Sequence, residues 1–102
     1  MLERIGVVGA GLMGSGIAEA CAREELDVVV SEVSDDVIAM GRSRIERSLG
    51  RAVERGKLDT MDRDAAIARI RFTTDLADMS DRQIVVEAAT EHEPTKLGIF
   101  SA

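Results

Sequence analysis

Short runs of β-branched and aliphatic residues alternate with stretches whose apolar residues recur every three or four positions. This alternation constrains the fold more than any other feature of the sequence. Arg4-Ile5-Gly6-Val7-Val8 and Val28-Val29-Val30 are nearly continuous apolar runs, the pattern of strands buried on both faces. Between them, Leu12 to about Arg23 reads as a helix with Met13, Ile17, Ala20 and Cys21 lining one face. Asp35 opens a longer helix behind a Ser34 N-cap, with Ile38, Gly41, Ile45, Leu49, Ala52 and Val53 on one stripe and Gly56 as its stop. A shorter helix follows Thr60, with Ala66, Ile67 and Ile70 on its apolar face. Phe72-Thr73-Thr74 reads as a third strand and Gln83 to Ala88 as a fourth. Thr90 onward predicts one more helix, carrying Leu97, Ile99 and Phe100 and holding Pro94 in its first turn. Strands that alternate with helices imply an α/β fold with parallel crossovers and a sheet covered on both faces.

The junction between the first strand and the first helix is Gly9-Ala10-Gly11-Leu12-Met13-Gly14, a GxGxxG run at the start of a strand–helix–strand unit. The three glycines meet three separate needs. Gly9 permits the sharp turn out of the strand, Gly11 permits close backbone approach of a pyrophosphate, and Gly14 permits close packing of helix on sheet. Gly16 adds a second small residue on the helix, suited to a further close contact. Amides of the first helical turn and the helix dipole then favour an anion at this point. Glu32 stands at the end of the second strand, where a carboxylate accepts hydrogen bonds from both ribose hydroxyls of an adenosine and repels a 2′-phosphate. No Arg follows within several positions to reverse that preference, so NAD is favoured over NADP. The fold expected is therefore a Rossmann-type, doubly wound parallel sheet.

Composition narrows the partners. Nineteen acidic against 13 basic residues leave a net charge of −6, which argues against broad binding to nucleic acid or to an anionic membrane. With two Phe and no Tyr or Trp, the core must be aliphatic. The single Cys21 has no internal partner for a disulfide and reads as a small packing residue. No signal peptide or membrane-length apolar run is read, so a soluble cytoplasmic protein is expected. No metal ligand set is assigned.

Gly9 through Ala18 resembles the GxGxMGxGIA signature of the 3-hydroxyacyl-CoA dehydrogenases, and Val85-Val86-Glu87-Ala88-Ala89-Thr90-Glu91 through Lys96 is similar to the second signature of that family. Arg44 to Leu49 resembles the family's long helix after the second strand, so the resemblance spans the chain. It implies NAD held by Gly9, Ala10, Gly11, Leu12, Met13, Gly14 and Glu32, with Ala89, Glu91 and Lys96 on the nicotinamide side. It also implies acyl-CoA contacts at Ser48 and at Arg55, where an Arg replaces the family's more usual Lys. The general base implied is a His beyond residue 102. His92 stands where the family usually has Asn and is not at the catalytic position. The resemblance further implies that residues 1–102 are the N-terminal portion of the NAD-binding domain, incomplete at its C-terminal side. It implies too that a C-terminal helical substrate and dimerisation domain is absent from this chain, and that the chain alone is inactive. The parent protein implied is a homodimeric, NAD-dependent oxidoreductase of short-chain 3-hydroxyacyl-CoA in fatty acid metabolism and beta-oxidation. Alternatives are a related dehydrogenase of a small 3-hydroxy or sugar acid, and a non-catalytic NAD-binding module.

Overall fold

In the computed structural model, residues 2–88 are described in full and 96–99 by their backbone. The elements run β1 (Arg4–Val8), α1 (Leu12–Arg23), β2 (Asp27–Ser31), α2 (Asp35–Glu54), α3 (Thr60–Ala68), β3 (Ile70–Thr73), a 3₁₀ turn (Leu76–Met79), β4 (Ile84–Glu87) and β5 (Lys96–Ile99). The sheet order is β3-β2-β1-β4-β5. β1 to β4 pair in parallel, and β5 is antiparallel to β4. The chain thus steps outward from β1 to β3 and crosses back to the other side of β1. The carboxyl ends of β1 and β4 become a topological switch point, where α/β sheets bind ligands.

Strand periodicity sorts the core into two faces. Ile5 and Val7 of β1 and Val28 and Val30 of β2 point toward the helices, joining Ala18, Ala22, Ile45, Leu49 and Ala66 in the main cluster. Val29 and Val85 point the other way and meet Met79 of the 3₁₀ turn, with Val8 packed alongside. Val7, Val28 and Val30 are completely buried, each such burial being worth roughly 1.5–3 kcal/mol. Among the described residues, α1, α2 and α3 cover one face, while the 3₁₀ turn alone supplies helical cover to the other. Helical cover of the sheet among the described residues is therefore heavier on one face than on the other.

Other differences have local causes. The buried line of α1 is Gly14, Ser15, Ala18 and Ala22, not the predicted Met13, Ile17, Ala20 and Cys21, of which Ala20 is exposed. The helix lies so close to the sheet that only small residues fit beneath it, while Ile17 and Cys21 are half-buried beside it. Met13 is 57% exposed. Ile70 opens β3 rather than closing α3, because it pairs with Val28 once the helix has capped at Arg69. Gly16 makes no close contact: an added Cβ there would meet nothing within 4 Å. Finally, Lys96–Ile99 forms a strand where a helix was expected, in register with Glu87 to Ile84. A four-residue segment containing Gly98 is a poor helix former, and pairing with β4 satisfies backbone groups along that strand's edge. The rest of that predicted helix, with His92 and Pro94, lies outside the described residues.

Candidate dinucleotide site

Gly9 leaves β1 with φ +107°, a conformation that favours glycine, while its N–H donates to Ser31 O at 2.9 Å. A Cβ on Gly14 would collide with the carbonyl oxygen of Gly9, so the fold itself demands glycine there. Gly11 is different. Its φ of −70° suits any residue, and an added Cβ would meet nothing within 4 Å. Among the described residues nothing requires glycine at position 11, which is the condition expected where an external group approaches the backbone.

Ser34, Asp59 and Asp75 cap their helical segments by accepting from Val37, Asp62 and Ala77 N–H, respectively. Helix α1 starts at Gly11 with no side-chain cap and no acid in its first turn. An uncapped first turn presents donors and the positive end of the dipole to an anion.

Glu32 closes the site from β2. Its carboxylate accepts from Ala10 N–H at 2.6 Å and from Val33 N–H at 2.8 Å. A carboxylate offers about four acceptor positions, so capacity remains for ribose hydroxyls. The structure thus brings Gly9, Ala10, Gly11, Leu12, Met13, Gly14 and Glu32 together at the carboxyl ends of β1 and β2. Ala88, whose N–H donates to Val8 O at 2.8 Å, brings the end of β4 alongside. Leu12 is 75% exposed at the mouth. Ala89 and Glu91 lie outside the described residues. Lys96 opens β5 opposite Glu87, with only its backbone described.

Ser48 lines an open groove of about 360 Å³ between α1 and α2, together with Leu12, Ser15, Gly16, Arg44, Arg47 and Arg51. Arg55 is exposed at the end of α2, seven residues beyond Ser48 and so near its face of the helix, but outside that groove. A larger hollow, about 540 Å³, lies at the far end of α1 among Arg23, Glu24, Glu25, Leu58, Asp62 and Arg69. It sits beside the amino ends of the strands, away from the switch point, and its Arg69 is already engaged with Ala22 O and Glu25.

Cys21 is half-buried, and burial pushes its thiol above the ordinary range, which keeps it protonated and unreactive. Sequence reasoning placed Gly41 on the apolar stripe of α2 but assigned no partner to Ser15, Gly41, Arg44 or Arg82. The first three meet at Ala10, and the fourth is buried at the opposite end of the sheet. Gly41, Arg44 and Arg82 meet partners up to 55 residues away in the chain, which no local spacing signals.

The switch point, the glycine turn and the acid at the end of β2 define a dinucleotide-binding α/β domain. Residues 4–102 match the family described as 3-hydroxyacyl-CoA dehydrogenase, NAD binding domain. The chain belongs to that family, and the dinucleotide of this domain is NAD. It is 52% identical over 100 residues to a 3-hydroxybutyryl-CoA dehydrogenase of Mycobacterium tuberculosis, an alignment covering 98% of this chain and 35% of that protein. Among solved structures, M. tuberculosis FadB2 superposes with a TM-score of 0.87 at 53% identity, covering 88% of this chain and 32% of the other. The (S)-3-hydroxybutyryl-CoA dehydrogenase PaaH1 of Ralstonia eutropha gives a TM-score of 0.87 at 41% identity, covering 91% and 33%. The chain spans about a third of the length of the curated relatives it matches.

Proposed function

We propose that the protein carrying this domain oxidises (3S)-3-hydroxyacyl-CoA, with 3-hydroxybutyryl-CoA as the favoured substrate, to the 3-oxoacyl-CoA, or catalyses the reverse. The observation that carries this reading is the joining of the Glu32 carboxylate to the glycine loop through Ala10 N–H, at the carboxyl ends of the parallel strands. The names of the relatives favour the hydroxyacyl-CoA substrate over a sugar acid and over a non-catalytic module. NAD, when bound, supplies the hydride acceptor. In this reading the residues of the chain hold and orient it. Backbone amides at the start of α1 receive the pyrophosphate, and the open space above Gly11 admits it. Glu32 receives the adenosine ribose and sets NAD above NADP by charge.

Ala89, Glu91 and Lys96 are assigned to the nicotinamide side. Ser48 and Arg55 are assigned to the CoA moiety, and the arginines flanking Ser48 in its groove give that surface a sign suited to phosphate. The general base is assigned to a His beyond residue 102. A homodimeric, cytoplasmic enzyme of fatty acid beta-oxidation completes the proposal.

The test is titration of the full-length protein with NADH and NADPH, with NADH formation followed on addition of 3-hydroxybutyryl-CoA and NAD. Tight NADH, weak NADPH and turnover are expected. Glu32→Ala should shrink the NADH preference by roughly tenfold, the scale of one charge-assisted hydrogen bond. Equal binding of the two nucleotides by the unaltered protein would sink the assignment of Glu32.

A further inference from the structure

Ala10 is held by residues to which the NAD reading gives no role. Its carbonyl oxygen accepts from Ser15 Oγ at 2.9 Å and from Arg44 Nη1 at 3.1 Å. Its side chain abuts Gly41, where an added Cβ would lie 2.6 Å from Ala10 Cβ and 3.1 Å from its carbonyl oxygen. Gly41 and Arg44 are three residues apart, so a single face of α2 presents both to the loop. Arg44 is half-buried, and its guanidinium forms a directional, charge-assisted bond.

The carbonyl of Ala10 and the N–H of Gly11 belong to one peptide unit. That unit is planar and trans, so its oxygen and its hydrogen point in opposite directions. A grip on the oxygen from the side of α2 therefore turns the Gly11 N–H the other way. With Glu32 engaging Ala10 N–H, the preceding peptide is fixed as well.

We propose that Arg44 is a positioning residue for the dinucleotide: by gripping the Ala10 carbonyl, with Gly41 allowing α2 to approach, it aims the Gly11 amide at the pyrophosphate. The proposal rests on the NAD reading and adds to it a role for a helix remote in sequence from the glycine loop. Arg44 acts through the backbone and does not touch the cofactor.

The experiment compares adenosine, ADP and NADH binding to the full-length protein and its Arg44→Met variant by calorimetry, with melting followed in parallel. Adenosine reports the ribose end; the additional affinity of ADP and NADH reports the loop amides. Arg44→Met should weaken ADP and NADH by roughly tenfold, the worth of one hydrogen bond to a charged donor, and leave adenosine binding unchanged. Arg44→Lys, which keeps a donor and a charge, should restore part of the loss. Gly41→Ala, which pushes Ala10 from the same side, should narrow the ADP-to-adenosine ratio even if Arg44→Met does not fold. Equal weakening of adenosine and ADP, or unchanged ADP binding in a folded variant, overturns the proposal and leaves the NAD reading standing. Failure of the unaltered protein to bind NADH overturns both.

Discussion

The two ends of the sheet each carry a polar network that ties distant strands together, yet the two are built differently. At the amino ends, Arg82 is 1% exposed and donates to Asp27 Oδ1 at 3.0 Å and to Asp81 Oδ2 at 2.8 Å, with a further bond to the Asp27 backbone. Beside it, Gln83 Oε1 accepts from Glu3 and Arg4 N–H, and Arg4 Nε donates to Asp81 O. This end stitches β1, β2 and β4 with bonds that stay within the protein. At the carboxyl ends, strands are again joined around Ala10, but the helix that starts there has no side-chain cap and Gly11 faces open space. One end closes its side-chain hydrogen bonds within the fold, whereas the other starts a helix with no side-chain cap beside the open space at Gly11.

Variants at the amino end should therefore move stability without moving affinity. The largest effect is expected for Arg82→Ala, which empties a fully buried site beneath Met79 and Gly6 and leaves two acids without their common partner. A loss of about 3 kcal/mol is expected from the cavity left by the buried side chain, read by urea unfolding. NADH affinity of the folded fraction should stay unchanged. A matching loss of affinity would break the division between the ends.

A smaller effect of opposite sign is expected at the end of α1. Both α1 and α2 close with the same pair of bonds: Glu25 N–H to Ala22 O and Leu26 N–H to Cys21 O in one, Gly56 N–H to Val53 O and Lys57 N–H to Ala52 O in the other. The left-handed position is Gly56 at φ +72° in α2, but Glu25 at φ +67° in α1. Glu25→Gly should relieve that strain, and after the added freedom of the unfolded chain a net gain of about 0.5 kcal/mol remains. An unchanged urea midpoint would show that the strain is offset elsewhere.

The smallest effect is one of pH. The hydrogen bond from Arg82 holds the Asp81 carboxyl down to about 2. A depressed folded pKa means the stabilisation is complete above the unfolded value near ~4 and drains away as pH falls toward about 2. Asp81→Asn should flatten stability across that window and leave the neutral side of the profile parallel to the original. An unaltered acid limb would remove Asp81 from the network.

Much of this was legible from the residues in order. The strand cores, the glycine turn, the Ser34 cap and the Gly56 stop all rest on neighbours within a few positions, where propensity and period operate. The close approach of α1 at Gly14 was legible from the glycine run, but its continuation along Ala18 and Ala22 was not, because it depends on how the whole helix lies on the sheet. Nor was the strand at Lys96–Ile99, whose conformation follows from the edge of β4 and not from its own period. Arg82 resembled any charged residue before a strand, since its partner Asp27 comes from β2. At the site, Glu32 was readable from its distance to the loop, whereas Gly41 and Arg44 were hidden in an ordinary amphipathic stripe.

Position 11 has a consequence for how such a sequence drifts. Gly14 is policed by the fold, because a side chain there strikes the Gly9 carbonyl, so any lineage that keeps a folded protein keeps it. Among the described residues, none would meet a side chain added at Gly11, so folding alone sets no bar there. In a descendant released from nucleotide binding, selection for folding would go on rejecting change at Gly14 and be blind to change at Gly11. The two glycines of one short motif therefore answer to two different constraints, one set by the packing of the chain and one open to whatever approaches it.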